Sequence, residues 1–236
     1  MAEPIVLGDI SIEVTLKNVK NVHLSVHPPS GRVTLVAPLA TRPDVARAYA
    51  ASRIAWIRAQ QLAFATQARE PERECVPRES HHIWGHRYLM AVVHADSKPN
   101  VALDHRRITL QVRPGADADQ RRRVLHSWHK GLLHAVVPAL LAKWESRLGV
   151  KVAGYYLQRM KTKWGSCNHA DGNIRLNTEL VKKPKELLEY VIVHEMLHLL
   201  EPTHNERFVA LLDLHFPAWR EARLELNALP LGVEEW

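Results

Sequence analysis

Residues 194–204 read His194-Glu195-Met196-Leu197-His198-Leu199-Leu200-Glu201-Pro202-Thr203-His204. On an α-helix, residues four apart lie one turn above each other, so His194 and His198 can close on one metal ion. Glu195 follows the first histidine directly, which puts its carboxylate beside such an ion rather than on it, where a general base is needed. This pattern points to a zinc hydrolase. A catalytic zinc takes three protein ligands and leaves one position for water, whose pKa it lowers to about 7. The two helical histidines are therefore one ligand short.

Pro202 cannot continue the helix, because it lacks an N–H and clashes with the carbonyl four residues back. A break is expected near Glu201. Thr203 followed three residues later by Glu206 has the form of a capping box, which predicts a second helix from Thr203 with His204 in its first turn. The step from His194 to His204 equals that of HExxHxxGxxH proteases, but Glu201 stands where those have glycine, so the turn must be built differently. His204 ranks above Glu206, Asp213, His215 and Glu221 as third ligand because it is near, neutral and restrained by the break. Fifteen histidines make chance pairs such as His82/His86 and His126/His129 inevitable. The HExxH pair differs in context: Leu187, Leu188, Val191, Ile192 and Leu197 form the apolar body of a helix starting near Pro184. Polar side chains in such a helix cost free energy unless they are paired or metal-bound.

The chain has 236 residues, 46% of them hydrophobic, enough for one large or two small domains. Charge interrupts every apolar stretch before 18 residues, and residues 1–4 lack signal-peptide character, so a cytoplasmic protein without a membrane span is expected. Cys75 and Cys167 are too few for a disulfide framework and read as reduced packing residues. Cys167, which precedes the metal helix, could also lie near the site as a protective thiolate. The formal net charge is +7. It is unevenly spread: residues 121–175 hold 11 Lys/Arg against 2 Asp/Glu, and residues 176–236 hold 6 against 11. The basic segment, from Arg121-Arg122-Arg123 through Lys163, could attract nucleic acid or an acidic substrate, although most such charge is a solvated helix face.

Alternating segments at 10–16, 22–26 and 33–36 predict strands in an antiparallel meander. One helix is expected from Asp44 to about Gln67, then a loop over 68–80 with His81, His82 and His86 as loop histidines. Strands resume at 88–93 and 108–112. From Asp117 to Leu148 the pattern is helical, with Val124, Trp128, Leu132, Val136, Leu140 and Trp144 spaced by four and Pro138 suggesting a kink or break. Short strands follow at 155–160, 163–167 and 173–177, the last two around an Asp171-Gly172 turn. The sequence shows no internal repeat. The order predicts an α+β fold, with an N-terminal antiparallel β-rich region over 1–115 and a catalytic domain over 116–236.

Lys163-Trp164-Gly165-Ser166-Cys167, Ile174-Arg175-Leu176-Asn177 and Tyr190-Val191-Ile192-Val193-His194-Glu195, in that order, resemble the YgjP-like metal-dependent hydrolases, relatives of the SprT-like zincins. The resemblance continues through His204, Phe208, Pro217 and Trp219. It implies a zincin-like metallopeptidase fold, His194, His198 and His204 as metal ligands and Glu195 as general base. Asn205 and Val209 depart from the family pattern, which more often has serine and tryptophan there. The family also implies an edge strand for an extended substrate; the 173–177 strand is the candidate, and Arg175→Pro would then abolish turnover with zinc retained.

The expected chemistry is attack of an activated water on a peptide carbonyl, with Glu195 passing the proton to the leaving nitrogen. Tyr155, Tyr156, Lys163 and Arg175 have the chemistry of a further stabilising donor. Two rivals stand beside it. One is a nucleic-acid-associated module, working on DNA-linked proteins or binding without catalysis through residues 121–175; SprT-like proteins act on proteins joined to DNA. The other is hydrolysis of a non-peptide amide.

Overall fold

The computed structural model describes residues 3–27, 30–66, 73–160 and 163–228. They form two compact units that divide near residue 70, and the elements make an α+β protein.

In the first unit, β1 (Ile5–Leu7), β2 (Ile10–Lys17), β3 (His23–His27) and β4 (Arg32–Pro38) form one sheet in the order β1-β2-β4-β3. Period-2 alternation turns Ile10, Ile12 and Val14 inward. The expected meander is corrected: β4 lies between β2 and β3 and runs parallel to β2. Alternation fixes which face is buried but not which strand is the neighbour. The predicted single helix is two, α1 (Pro43–Ser52) and α2 (Ile54–Thr66), broken at Arg53, where the backbone turns to φ −108° and ψ 6°. Ala46, Ala50 and Ile57 from these helices cover Ile12, Val33 and Leu35.

The second unit opens with β5 (Ser80–Ile83), β6 (His86–His94), β7 (Asn100–Leu103) and β8 (Arg107–Val112), in the order β5-β6-β8-β7. His81 and His82 thus lie on a strand rather than in a loop, and His81 is buried. This sheet repeats the first in strand order and pairing sense, with β6 and β8 parallel and the other pairs antiparallel. The repeat is invisible in the sequence because topology depends on backbone pairing and alternation, not on residue identity. Of the matched β1–β2 and β5–β6 turns, that at Gly8 would have nothing within 4 Å of an added Cβ. The other is engaged: Trp84 N–H donates to Val181 O (2.8 Å), and a Cβ on Gly85 would meet Pro184 at 3.0 Å.

The helix α3 (Ala118–Leu148) begins with a full capping box between Asp117 and Gln120 and ends at Gly149 in the left-handed conformation. It continues through Pro138. Its most buried line is Leu125, His129, Leu133, Val137 and Leu141, one residue on from the expected line, of which Trp144 is itself buried. Residues such as Val124, Trp128 and Leu132 are only partly buried beside it. Then come β9 (Gly154–Gln158), β10 (Gly165–Asn168) and β11 (Asn173–Asn177), a 3-10 turn (Thr178–Lys182), α4 (Lys185–Leu197), α5 (Glu206–His215) and α6 (Trp219–Ala228). The sheet order is β10-β11-β9. The expectation that 173–177 is an edge strand is therefore wrong: β11 is paired on both sides, antiparallel to β10 and parallel to β9. The edge beside α4 is β10. Fully buried Asn177 ties this region together. Its Nδ2 donates to Met160 O and Lys163 O (both 2.8 Å), and its Oδ1 accepts from Glu179 N (3.1 Å).

Candidate metal centre

Nine of the thirteen residues of α4 are buried, among them Leu187, Leu188, Val191 and Ile192, which pack with Leu133, Val137, Ile174 and Leu176. Truncating such a side chain to alanine costs about 2–5 kcal/mol, so the helix is held firmly. It ends at Leu197, and His198 is its C-cap with φ −65° and ψ −14°. That conformation is still helical, so His194 and His198 stay one turn apart. Leu199 and Leu200 then donate to carbonyls three residues back, tightening the chain before Pro202.

The expected capping box does not form. Thr203 Oγ1 donates instead to Glu201 Oε1 (3.1 Å), and Asn205 caps α5 by accepting from Phe208 N (3.0 Å). Asparagine does here what serine also does at a helix start. His204 is thereby held in the loop just ahead of the cap. Its Nε2 lies 2.9 Å from His194 Nε2, and one nitrogen from each of His194, His198 and His204 falls within 4.8 Å of the others.

Phe208 forms the floor under all three imidazoles. Its ring stacks on His198 (centroids 4.7 Å, 26°) and meets His194 and His204 edgewise at 5.0 and 4.8 Å. The His198 Nδ1 lies 3.1 Å from Glu201 O. A carbonyl only accepts, so Nδ1 carries the proton and Nε2 keeps its lone pair, the arrangement of a metal-ligating histidine. Burial lowers the pKa of both helical histidines, that of His194 to about 3, with the charges of His198 and His204 adding to it. Both are neutral at pH 7, the form that binds metal. Lone pairs gathered this closely repel unless a proton or cation takes them up, and buried His194 Nδ1 has no partner among the described residues. The donor set fits a divalent metal.

Glu195 is 6% exposed. Burial pushes its carboxyl up to about 8, partly offset by Lys163. The carboxylate lies against β10, where a Cβ on Gly165 would come within 2.6 Å of Oε1 and 2.7 Å of Cγ. These groups line a cavity of about 460 Å³, walled by Gly165, Ser166 and Cys167 of β10, by α4, and by Arg223, Leu226 and Asn227 of α6.

Among the suggested donors, Lys163 lines the cavity; Tyr155, Tyr156 and Arg175 do not. Tyr155 OH is paired with His134 Nδ1 (2.8 Å). The weaker ligand candidates lie outside it: Asp213 is taken by Trp219 Nε1 (2.8 Å) and Arg220, and Glu206 borders a separate depression beside His204. His215 and Glu221 do not line the cavity either. Cys167 does, but it is not part of the cluster formed by His194, His198 and His204, and burial and the nearby Glu195 push its thiol up to about 11. Several cations of the basic segment have partners within the chain: Arg122 with Asp119, Lys143 with Glu189, Lys151 with Glu145 and Arg159 with Glu179. Phe208, Tyr190 and Arg223 were not anticipated as site residues. Tyr190 could have been found four residues before His194; Phe208 and Arg223 arrive through the packing of α5 and α6. Among the described residues, no helix is long and apolar enough to cross a membrane.

Known proteins match this chain unevenly. Endoglucanase A of Clostridium longisporum is 38% identical over 60 residues, a quarter of this chain, which spans only 11% of that protein. Among solved structures, the metallopeptidase zymogen of Pyrococcus abyssi abylysin is 22% identical at a TM-score of 0.37, covering 42% of this chain and 100% of that one. The metallopeptidase zymogen of Methanocaldococcus jannaschii jannalysin is 24% identical at 0.35, covering 38% and 92%. The broad match is to a family profile described as YgjP-like, metallopeptidase domain, which runs over residues 20–229 and so takes in every element from β3 onward, with the histidine cluster and the cavity walls. On that span, this chain belongs to the YgjP-like metallopeptidase family.

Proposed function

We propose that the protein is a zinc-dependent metallopeptidase in which His194, His198 and His204 hold the metal and Glu195 is the general base. The observation that carries this reading is the convergence of three imidazoles beside a buried carboxylate in one cavity. A divalent ion held there supplies Lewis-acid polarisation of the scissile carbonyl and makes water acidic enough to be deprotonated near neutrality. Zinc suits three imidazoles with an open position.

Glu195 takes the proton from water and delivers it to the leaving nitrogen. Its burial at the wall of the cavity, next to the histidine cluster, puts the carboxylate where that proton is exchanged. Gly165 leaves room for the carboxylate, and the β10 edge beside it offers backbone groups for an extended peptide, the role first expected of 173–177. Lys163 faces the same space. The test is metal analysis with a peptide-hydrolysis assay on Glu195→Gln. Retained zinc with hydrolysis lost supports the assignment; full hydrolysis by the variant excludes Glu195 as the base.

A further inference from the structure

Arg223, Leu226 and Asn227 are spaced i, i+3 and i+4 on α6, so one face of that helix is turned to the cavity. Leu226 is buried and gives this wall an apolar floor, while Arg223 is exposed at its rim. The C-terminal portion of the chain is rich in acids, yet Glu195 alone among the cavity-lining residues is acidic. Lys163 and Arg223 are its cations. The charge of Lys163 is felt by Glu195, whereas that of Arg223 reaches Tyr190 and His194, neither of them an anion. Among the described residues no carboxylate forms an ion pair with Arg223. Its neighbour Arg220, by contrast, is bound to Asp213.

An arginine with no carboxylate partner among the described residues, at the rim of a cavity above an apolar floor, has the chemistry of a recognition element. The guanidinium presents a planar fork of donors that matches a carboxylate in bidentate fashion. Building on the metallopeptidase reading, we infer that Arg223 selects peptides bearing a carboxylate close to the scissile bond, the group docking on the α6 wall. The carboxylate can be an acidic side chain or the peptide C-terminus, since both present the same pair of oxygens. Asn227, one turn from Arg223, supplies a neutral donor on the same face. Arg223 is thus a specificity residue, distinct from the groups that carry out the proton transfers.

The test uses zinc-loaded Glu195→Gln protein, which separates binding from turnover. Fluorescence anisotropy measures the affinity of a short apolar peptide carrying one Glu, of its Gln twin, and of both with amidated C-termini. With Arg223 present, the carboxylate-bearing member binds about tenfold tighter than its neutral twin, the gain of one charge-assisted bidentate pair. Adding Arg223→Ala brings that ratio near one, and Arg223→Lys restores it only in part. Arg223 is exposed, so neither substitution threatens the fold. Tighter binding of the free-acid peptides than of their amides identifies the C-terminus as the source; tighter binding of the Glu peptides than of their Gln twins identifies the side chain. Equal binding of all four peptides, binding of none, or ratios unchanged by Arg223→Ala overturns the inference. Hydrolysis by the Glu195-containing protein is scored separately: cleavage of all four peptides at equal rates sinks the selectivity and leaves the peptidase reading intact, whereas Arg223-dependent binding without cleavage does the reverse.

Discussion

Gly165→Ala is expected to disable catalysis while leaving the fold and the metal in place. The new methyl would sit 2.6 Å from Glu195 Oε1, 2.7 Å from Cγ and 2.9 Å from Cδ, where ordinary contact begins at 3.4 Å. Something must move by roughly 0.8 Å. All three of the nearest atoms belong to the Glu195 side chain and none to backbone, so the carboxylate yields before the strand does. Gly165 does not have positive φ, and alanine can adopt its backbone conformation. The stability change should therefore stay within the about 1–3 kcal/mol typical of overpacking. A misplacement near 1 Å costs about 100-fold in rate, so kcat should fall by roughly 30- to 100-fold. Initial rates on a quenched fluorescent peptide, with zinc stoichiometry and thermal unfolding of the same samples, make the check. A variant with kcat within about threefold of wild type, fully metallated, would refute the idea that the missing Cβ sets the position of Glu195.

Phe208→Leu keeps the interior apolar but removes the ring beneath the three imidazoles, and zinc affinity measured by competition with a chelator should weaken by about 10-fold or more, in the range seen when supporting groups around ligands are lost. Asn177→Ala strips partners from Met160, Lys163 and Glu179 at a buried position; at about 1–3 kcal/mol per orphaned group and roughly 2–4 °C per kcal/mol, Tm should drop by at least about 5 °C. Buried His129 has a pKa lowered to about 3 by burial, with Lys182 adding to it. The unfolded chain, with a histidine pKa near 6.5, binds that proton first, so stability is lost as pH falls from about 6.5 toward 3, by about 2 kcal/mol at pH 5. His129→Leu should remove that part of the slope, seen as a smaller difference between denaturation at pH 7 and pH 5 in metal-free protein; identical slopes would contradict it.

The histidine-bearing helix was legible because its signals are local. The four-residue spacing of His194 and His198, the apolar run 187–197 and the helix-breaking Pro202 are all short-range, and each has a direct steric meaning. Errors arose where tertiary packing chooses between local equivalents. Thr203 and Asn205 are both good cap residues, and the 2.9 Å approach of His204 to His194 goes with the later one. On α3, two adjacent lines of apolar residues both satisfy the helical period, and the face packed against the remainder of the unit selects the line through Leu125 and Leu133. The four-residue β7, with Val101 alone buried, carries too little alternation to be read. That β11 is central follows from its parallel pairing with β9 across the intervening β10, a non-local choice that no window reveals.

The two hairpin turns of the duplicated sheet order make a built-in control pair for engineering. A reporter peptide spliced into the turn at Gly8-Asp9 would enter open space. The same insertion at Trp84-Gly85 would displace the backbone that donates to Val181 and touches Pro184, the residue from which the histidine-bearing helix starts. One scaffold, cut at two topologically matched places, thus offers a silent attachment point and a lever on the histidine cluster.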